Sequence, residues 1–206
     1  PRHPTAQVLR SNLSSALDIP PVAHLKHLSR LLQVSMLAAA LAGPVKAHEI
    51  TPAIADVEVG QESVTLSIRM ALESLLAGIN LAEVTDSNET PEAALYDQFR
   101  AFPPDQLEAV FREAWPRLAQ GLQATAGETP LAFQIVEIAV PAVGDIETVR
   151  SSILTVSAPL PEDNSPVTIG WQASYGALVL RQVSAGEDAY EDFLNAGSVS
   201  DPLPRT

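Results

Sequence analysis

Ser63-Val64-Thr65-Leu66-Ser67-Ile68-Arg69-Met70 alternates without a break, with Val64, Leu66, Ile68 and Met70 on one side and Ser63, Thr65, Ser67 and Arg69 on the other. A period of two places those sets on opposite faces of a strand, one packed on a core and one in water. Upstream, Ala55, Val57 and Val59 repeat the pattern, and Gly60-Gln61-Glu62 supplies a turn, so residues 53–70 read as a hairpin. Strand character returns at Leu131–Val140, Ser151–Ala158, Val167–Trp171 and Leu178–Val183, each bounded by Pro, Gly, Asp or Asn. The apolar phase predicts that Val64, Leu66, Ile68, Leu154, Val156, Ile169 and Trp171 are buried together.

Between the two strand blocks the period changes. Leu72, Leu75, Leu76 and Ile79 fit a short helix ending near Gly78. Thr90 reads as an N-cap, with Pro91 at the first helical position, for a helix reaching about Phe102. After Pro103-Pro104, the stripe Leu107, Val110, Phe111, Ala114, Leu118 and Leu122 has helical spacing, which Pro116 should kink or split, and Gly127 closes the region. The expected fold is mainly β with a helical insert at about 72–126: an antiparallel β-sandwich-like domain, with an open α+β sheet as the alternative.

The ends of the chain carry different charge. Residues 1–47 hold Arg2, Arg10, Lys26, Arg30 and Lys46 against Asp18 alone, whereas residues 48–206 hold seven arginines, no lysine and 24 acids. In the basic part, Lys26, His27 and Arg30 precede the apolar run Leu31–Gly43, followed by Pro44 and Val45-Lys46-Ala47. That order of basic region, apolar core, helix breaker and small residues at −3 and −1 is a secretory signal, here residues 22–47, with an uncleaved anchor or a core helix as the alternatives. The run has 13 residues, short of the ~20 that span a bilayer. Residues 1–21 read as an extension that is not native or is disordered. Residues 48–200 then form an extracytoplasmic domain, and the Pro-rich 201–206 a linker.

Composition narrows the function classes. With no cysteine in 206 residues, disulfides, thiol nucleophiles and cysteine metal sites are excluded. The net charge of −13 opposes nucleic-acid binding, which needs a basic face. No G-x-S-x-G elbow or Gly-rich phosphate loop is present, and His48 is the single histidine of residues 48–206, so no Ser-His-Asp set can form away from that position. A carboxylate pair for an acidic hydrolase has no distinguishable members among the 24 acids, and the chain reads as a non-enzyme. Once freed by cleavage after Ala47, His48 would offer its α-amine and imidazole as a weak Ni(II) or Cu(II) chelate, with Glu49 as an added oxygen ligand. Asp86, Asn88, Thr90 and Asp97 faintly follow a calcium loop, but Pro91 sits where the turn needs glycine. Trp115 and Trp171 could serve as ligand platforms, yet their periodic contexts favour the core.

Several words of the chain resemble the extracytoplasmic N-terminal domain of HupE/UreJ-like membrane proteins. They are Ala47-His48-Glu49-Ile50-Thr51-Pro52-Ala53-Ile54-Ala55, Leu72–Ile79, Ala94–Pro104, Val140–Asp145, Leu178–Arg181 and Ser200–Leu203, in that order. The resemblance implies an accessory protein of the hydrogenase/urease maturation group on the periplasmic face of the bacterial inner membrane. It also implies a role linked to nickel transport and a membrane component in cis or in trans. No metal ligand is carried over, because in the larger relatives the histidine-bearing membrane helices lie beyond the segment matched here. A self-standing secreted β-sandwich binding module is the alternative.

Overall fold

The computed structural model describes residues 51–146, 148–183, 190–195 and 197–206. The signal-peptide segment, the extension before it and His48 lie outside the described residues. The chain is mainly β. Strands β1 (Ala53–Val59) and β2 (Ser63–Met70) precede helices α1 (Leu72–Ala77), α2 (Ala93–Arg100) and α3 (Pro104–Leu118). Then come β3 (Leu122–Ala126), β4 (Thr129–Pro130), β5 (Gln134–Ala139), β6 (Ser152–Pro159), β7 (Val167–Trp171), β8 (Leu178–Gln182) and β9 (Glu191–Leu194).

The alternation in β1 and β2 becomes a hairpin, with Val59 opposite Val64 and Val57 opposite Leu66, closed where the Gly60 N–H donates to the Ser63 carbonyl. Six strands form one sheet in the order β5-β6-β2-β1-β8-β9, and three form another, β4-β3-β7. Val64, Leu66, Ile68, Leu154 and Val156 of the large sheet and Ile169 and Trp171 of the small one are all buried in one cluster, as the strand phases predict. Leu72, Leu107, Phe111 and Leu118 of the helical insert complete it.

One pairing departs from the antiparallel expectation. β1 and β8 run parallel, Ala55 opposite Leu180 and Val57 opposite Gln182. The chain leaves β7 in the small sheet through the turn Ala173–Tyr175 and enters the large sheet in the direction of β1. Alternation fixes which face of a strand is buried; it does not fix the neighbour or its direction.

The helical insert is shorter than expected. Leu122–Ala126 is a strand, not the end of a helix: the helix stops at Leu118, and Ala119–Gly121 is a single 3₁₀ turn. Pro116 neither splits nor precedes a second α-helix; it lies in the last turn of α3, two residues before its end. The helix expected from Thr90 begins at Ala93, because the Thr90 hydroxyl donates back to the Ser87 carbonyl instead of capping. The Leu131–Val140 strand is confined to Gln134–Ala139, with a bulge between Ile135 and Glu137.

Residues 201–206 are packed onto the domain rather than extending from it as a linker. Leu203 is fully buried and exchanges backbone hydrogen bonds with Val167, and the Thr206 N–H donates to the Val59 carbonyl. An apolar anchor and paired backbone groups outweigh the Pro-rich composition that suggested a linker.

Candidate functional site

α3 leads into a concavity beside the small sheet, and its Trp115 and Pro116 line part of the wall. Pro104 occupies its first turn, where a missing N–H costs nothing, and Leu107, Phe111 and Leu118 face the core. At its other end the Tyr175 hydroxyl donates to the Leu118 carbonyl at 2.9 Å, satisfying one of the orphan acceptors of a helix terminus. The Tyr175 ring meets Trp171 edge to face at 5.3 Å, so α3 is fastened to β7 through one tyrosine. Burial pushes the Tyr175 hydroxyl above its usual pKa. Gly121 is required here, because a Cβ would run into the Tyr175 ring.

Beside this junction lies a groove on the outer face of the small sheet, with a volume of about 420 Å³. Gly170 lies in its floor beside Thr125 and Thr168, whose hydroxyls are 3.0 Å apart. Pro130 and Leu131 form one side, Val199 another, and Gln120 and Gln123 add amides. A second lobe of about 340 Å³ shares Ala119, Gln120, Leu122 and Leu131 with the first and reaches Trp115 and Phe133. β4 supplies only two residues, and the bonding on that side of β3 ends with the Leu131 N–H donating to the Ala124 carbonyl at 2.9 Å before the chain runs on to β5. None of the described residues lining either lobe is charged. The groove therefore offers apolar contact with amide and hydroxyl donors and acceptors, and no side chain suited to general acid–base work.

The ionisable groups gather elsewhere, under the helical insert. Glu73 on α1 and Arg150 are both fully buried, with Arg150 Nε donating to Glu73 Oε1 at 2.7 Å. The same guanidinium donates to the Phe102 and Phe99 carbonyls at 2.9 and 3.2 Å. Arg100 on α2 donates to the carbonyls of Thr148, Val143 and Asp145 at 2.9, 2.7 and 2.7 Å, folding the segment before β6 around one side chain. Tyr96 beside them is pushed up to about 12, first by burial and then by the negative charge of Glu73. Glu73 Oε2 is buried with no hydrogen-bond partner among the described residues. This cluster holds α1, α2 and the following loop together; its guanidinium donors are spent on carbonyls and on the Glu73 carboxylate, and it lines neither lobe of the groove.

The residues singled out by sequence do not assemble into a site. Asp86 Oδ1 accepts from the Asn88 N–H at 2.9 Å, opening a short 3₁₀ turn, and Asp97 lies on α2. Among the described residues no group of three or more His, Asp or Glu side chains is placed to hold a metal. Trp171 is a core residue, while Trp115 is half-buried, donates to the Phe133 carbonyl at 3.3 Å and lines the second lobe. Reading by sequence missed the groove, which draws on α3, β3, β4, β7 and Val199; Gly170 between Ile169 and Trp171 is the one local signal, a strand position without a side chain. No described helix is long and apolar enough to cross a membrane. No family model matches the chain, and no curated protein matches it.

Proposed function

We propose that this chain is a non-catalytic extracytoplasmic accessory domain of the HupE/UreJ-like kind, which engages a membrane component in cis or in trans and serves nickel transport or metalloenzyme maturation. The observation that carries the binding part is the groove: concave, largely apolar, furnished with Gln120, Gln123, Thr125 and Thr168, and lined by no charged side chain among the described residues. Such a lining suits recognition better than turnover. The assignment to an accessory role in nickel handling rests on the sequence resemblance.

Deleting the domain from cells that depend on nickel for hydrogenase or urease should lower nickel accumulation and both activities at limiting metal. Restoring it with Thr168→Phe, which fills the groove, should not rescue. Unchanged nickel content and enzyme activity after deletion would refute the proposal. The alternative, a self-standing secreted binding module, is favoured if the domain is released from the envelope and its loss leaves nickel untouched.

A further inference from the structure

We infer that residues 197–206 form a latched strap over the edge of the small sheet, that Arg205 is the latch, and that releasing it widens the groove. The inference rests on the groove being a binding site. The strap lies along β7 like an irregular fourth strand. Gly197 N–H donates to the Trp171 carbonyl at 3.1 Å, Trp171 N–H to Ser198 at 3.3 Å, and Ser200 N–H to Ile169 at 2.8 Å. At the next step the backbone does not supply an acceptor: the Ile169 N–H donates to the Ser200 hydroxyl at 3.0 Å, which in turn donates to the Asp201 carbonyl. Asp201 N–H reaches the Tyr190 hydroxyl at 3.2 Å, and Leu203 restores reciprocal pairing with Val167.

The two halves of the strap are held differently. The half that walls the groove rests on backbone bonds, and its Val199 is 58% exposed. The far half is fixed by the buried Leu203 and by Arg205, whose side chain is 4% exposed. Arg205 donates to the Ser165, Pro161 and Gln61 carbonyls at 3.0, 2.7 and 3.1 Å and pairs with Asp163 at 3.4 Å. A planar guanidinium can serve several acceptors in fixed directions, which an ammonium cannot. Thr206 then fastens the end to Val59 of the large sheet. Latch and groove wall thus belong to one short segment whose middle is bonded through a side chain, an arrangement suited to opening from the Val199 end.

Hydrogen exchange on the full chain tests the strap, comparing wild type with Arg205→Ala and the milder Arg205→Lys. The Val167, Ile169 and Trp171 amides should exchange about tenfold faster or more, while those of Leu66 and Ile68 stay at their native rates. Acceleration spread evenly over both sheets, or none in β7, would overturn the latch. Uptake of the neutral apolar dye N-phenyl-1-naphthylamine should rise in the latch variants and fall in Thr168→Phe. Local exchange without greater dye uptake would overturn the gating of the groove. Uptake unaffected by Thr168→Phe would instead show that the groove reading beneath it fails.

Discussion

Glu73 and Arg150, 77 positions apart in sequence, form an ion pair from which water is excluded, with 2.7 Å between Arg150 Nε and Glu73 Oε1. Removing one member strands the other charge in the interior, and the cost of a broken buried pair is about 3–5 kcal/mol. Arg150→Met should therefore lower unfolding free energy by that order in urea titration. The double variant Glu73→Leu/Arg150→Met should recover part of the loss, because no charge is then left unpaired. A double variant as damaged as the two singles combined would show that the Phe99 and Phe102 carbonyls, rather than Glu73, account for the arginine.

Leu66→Ala and Ile68→Ala should each cost about 2–5 kcal/mol, since both side chains are buried in the shared core. Thr65→Ala removes a side chain on the opposite face, whose hydroxyl donates to Ser157 at 3.2 Å, and should cost far less. Equilibrium denaturation of the three variants checks the phase directly; equal losses would contradict it.

Tyr96 predicts an alkaline weakness. Its pKa is pushed up to about 12 by burial and by Glu73, so the folded protein keeps the phenol proton where the unfolded chain releases it near ~10. The contribution is intact below the unfolded value and is lost as pH rises through the folded one. Melting temperature should fall between about pH 10 and 12. Tyr96→Phe should flatten that fall only in part, because Tyr175 and Tyr190 are also raised by burial.

Metal binding at His48 is expected to be weak and to require a free amino terminus at that residue. Ni(II) or Cu(II) should bind increasingly as the imidazole loses its proton near ~6.5 and the amine near ~8. One residue added before His48 should abolish the calorimetric signal. Tight binding that survives the addition would point to a carboxylate site.

Legibility followed the reach of each interaction. β2 could be read because every second residue is buried against the same core, a purely local pattern. β3 could not, since Leu118 and Leu122 are one helical turn apart in sequence and extend the α3 stripe; only the packing of Tyr175 against Gly121 marks the change of direction. Arg100 and Arg150 look like surface charges in the sequence, and nothing near them announces that their acceptors are carbonyls and a carboxylate contributed by other segments. The groove was illegible for the same reason: Leu131, Thr168 and Val199 meet only once the small sheet and the segment beside β7 have come together.

The parallel seam between β1 and β8 has a kinetic consequence. β1 is the first described strand in chain order, yet it lies inside the large sheet, and the strand that closes its second side comes at Leu178–Gln182. A nascent hairpin of β1 and β2 is therefore open on both sides: β6 covers β2, but the outer row of β1 stays open while more than a hundred residues follow β2. Such a long-range closure is slow, and an open edge in the interval invites pairing with other chains. The seam is thus a checkpoint on synthesis: a product interrupted before β8 retains the open flank of β1, and only a chain that has delivered Leu178–Gln182 seals it.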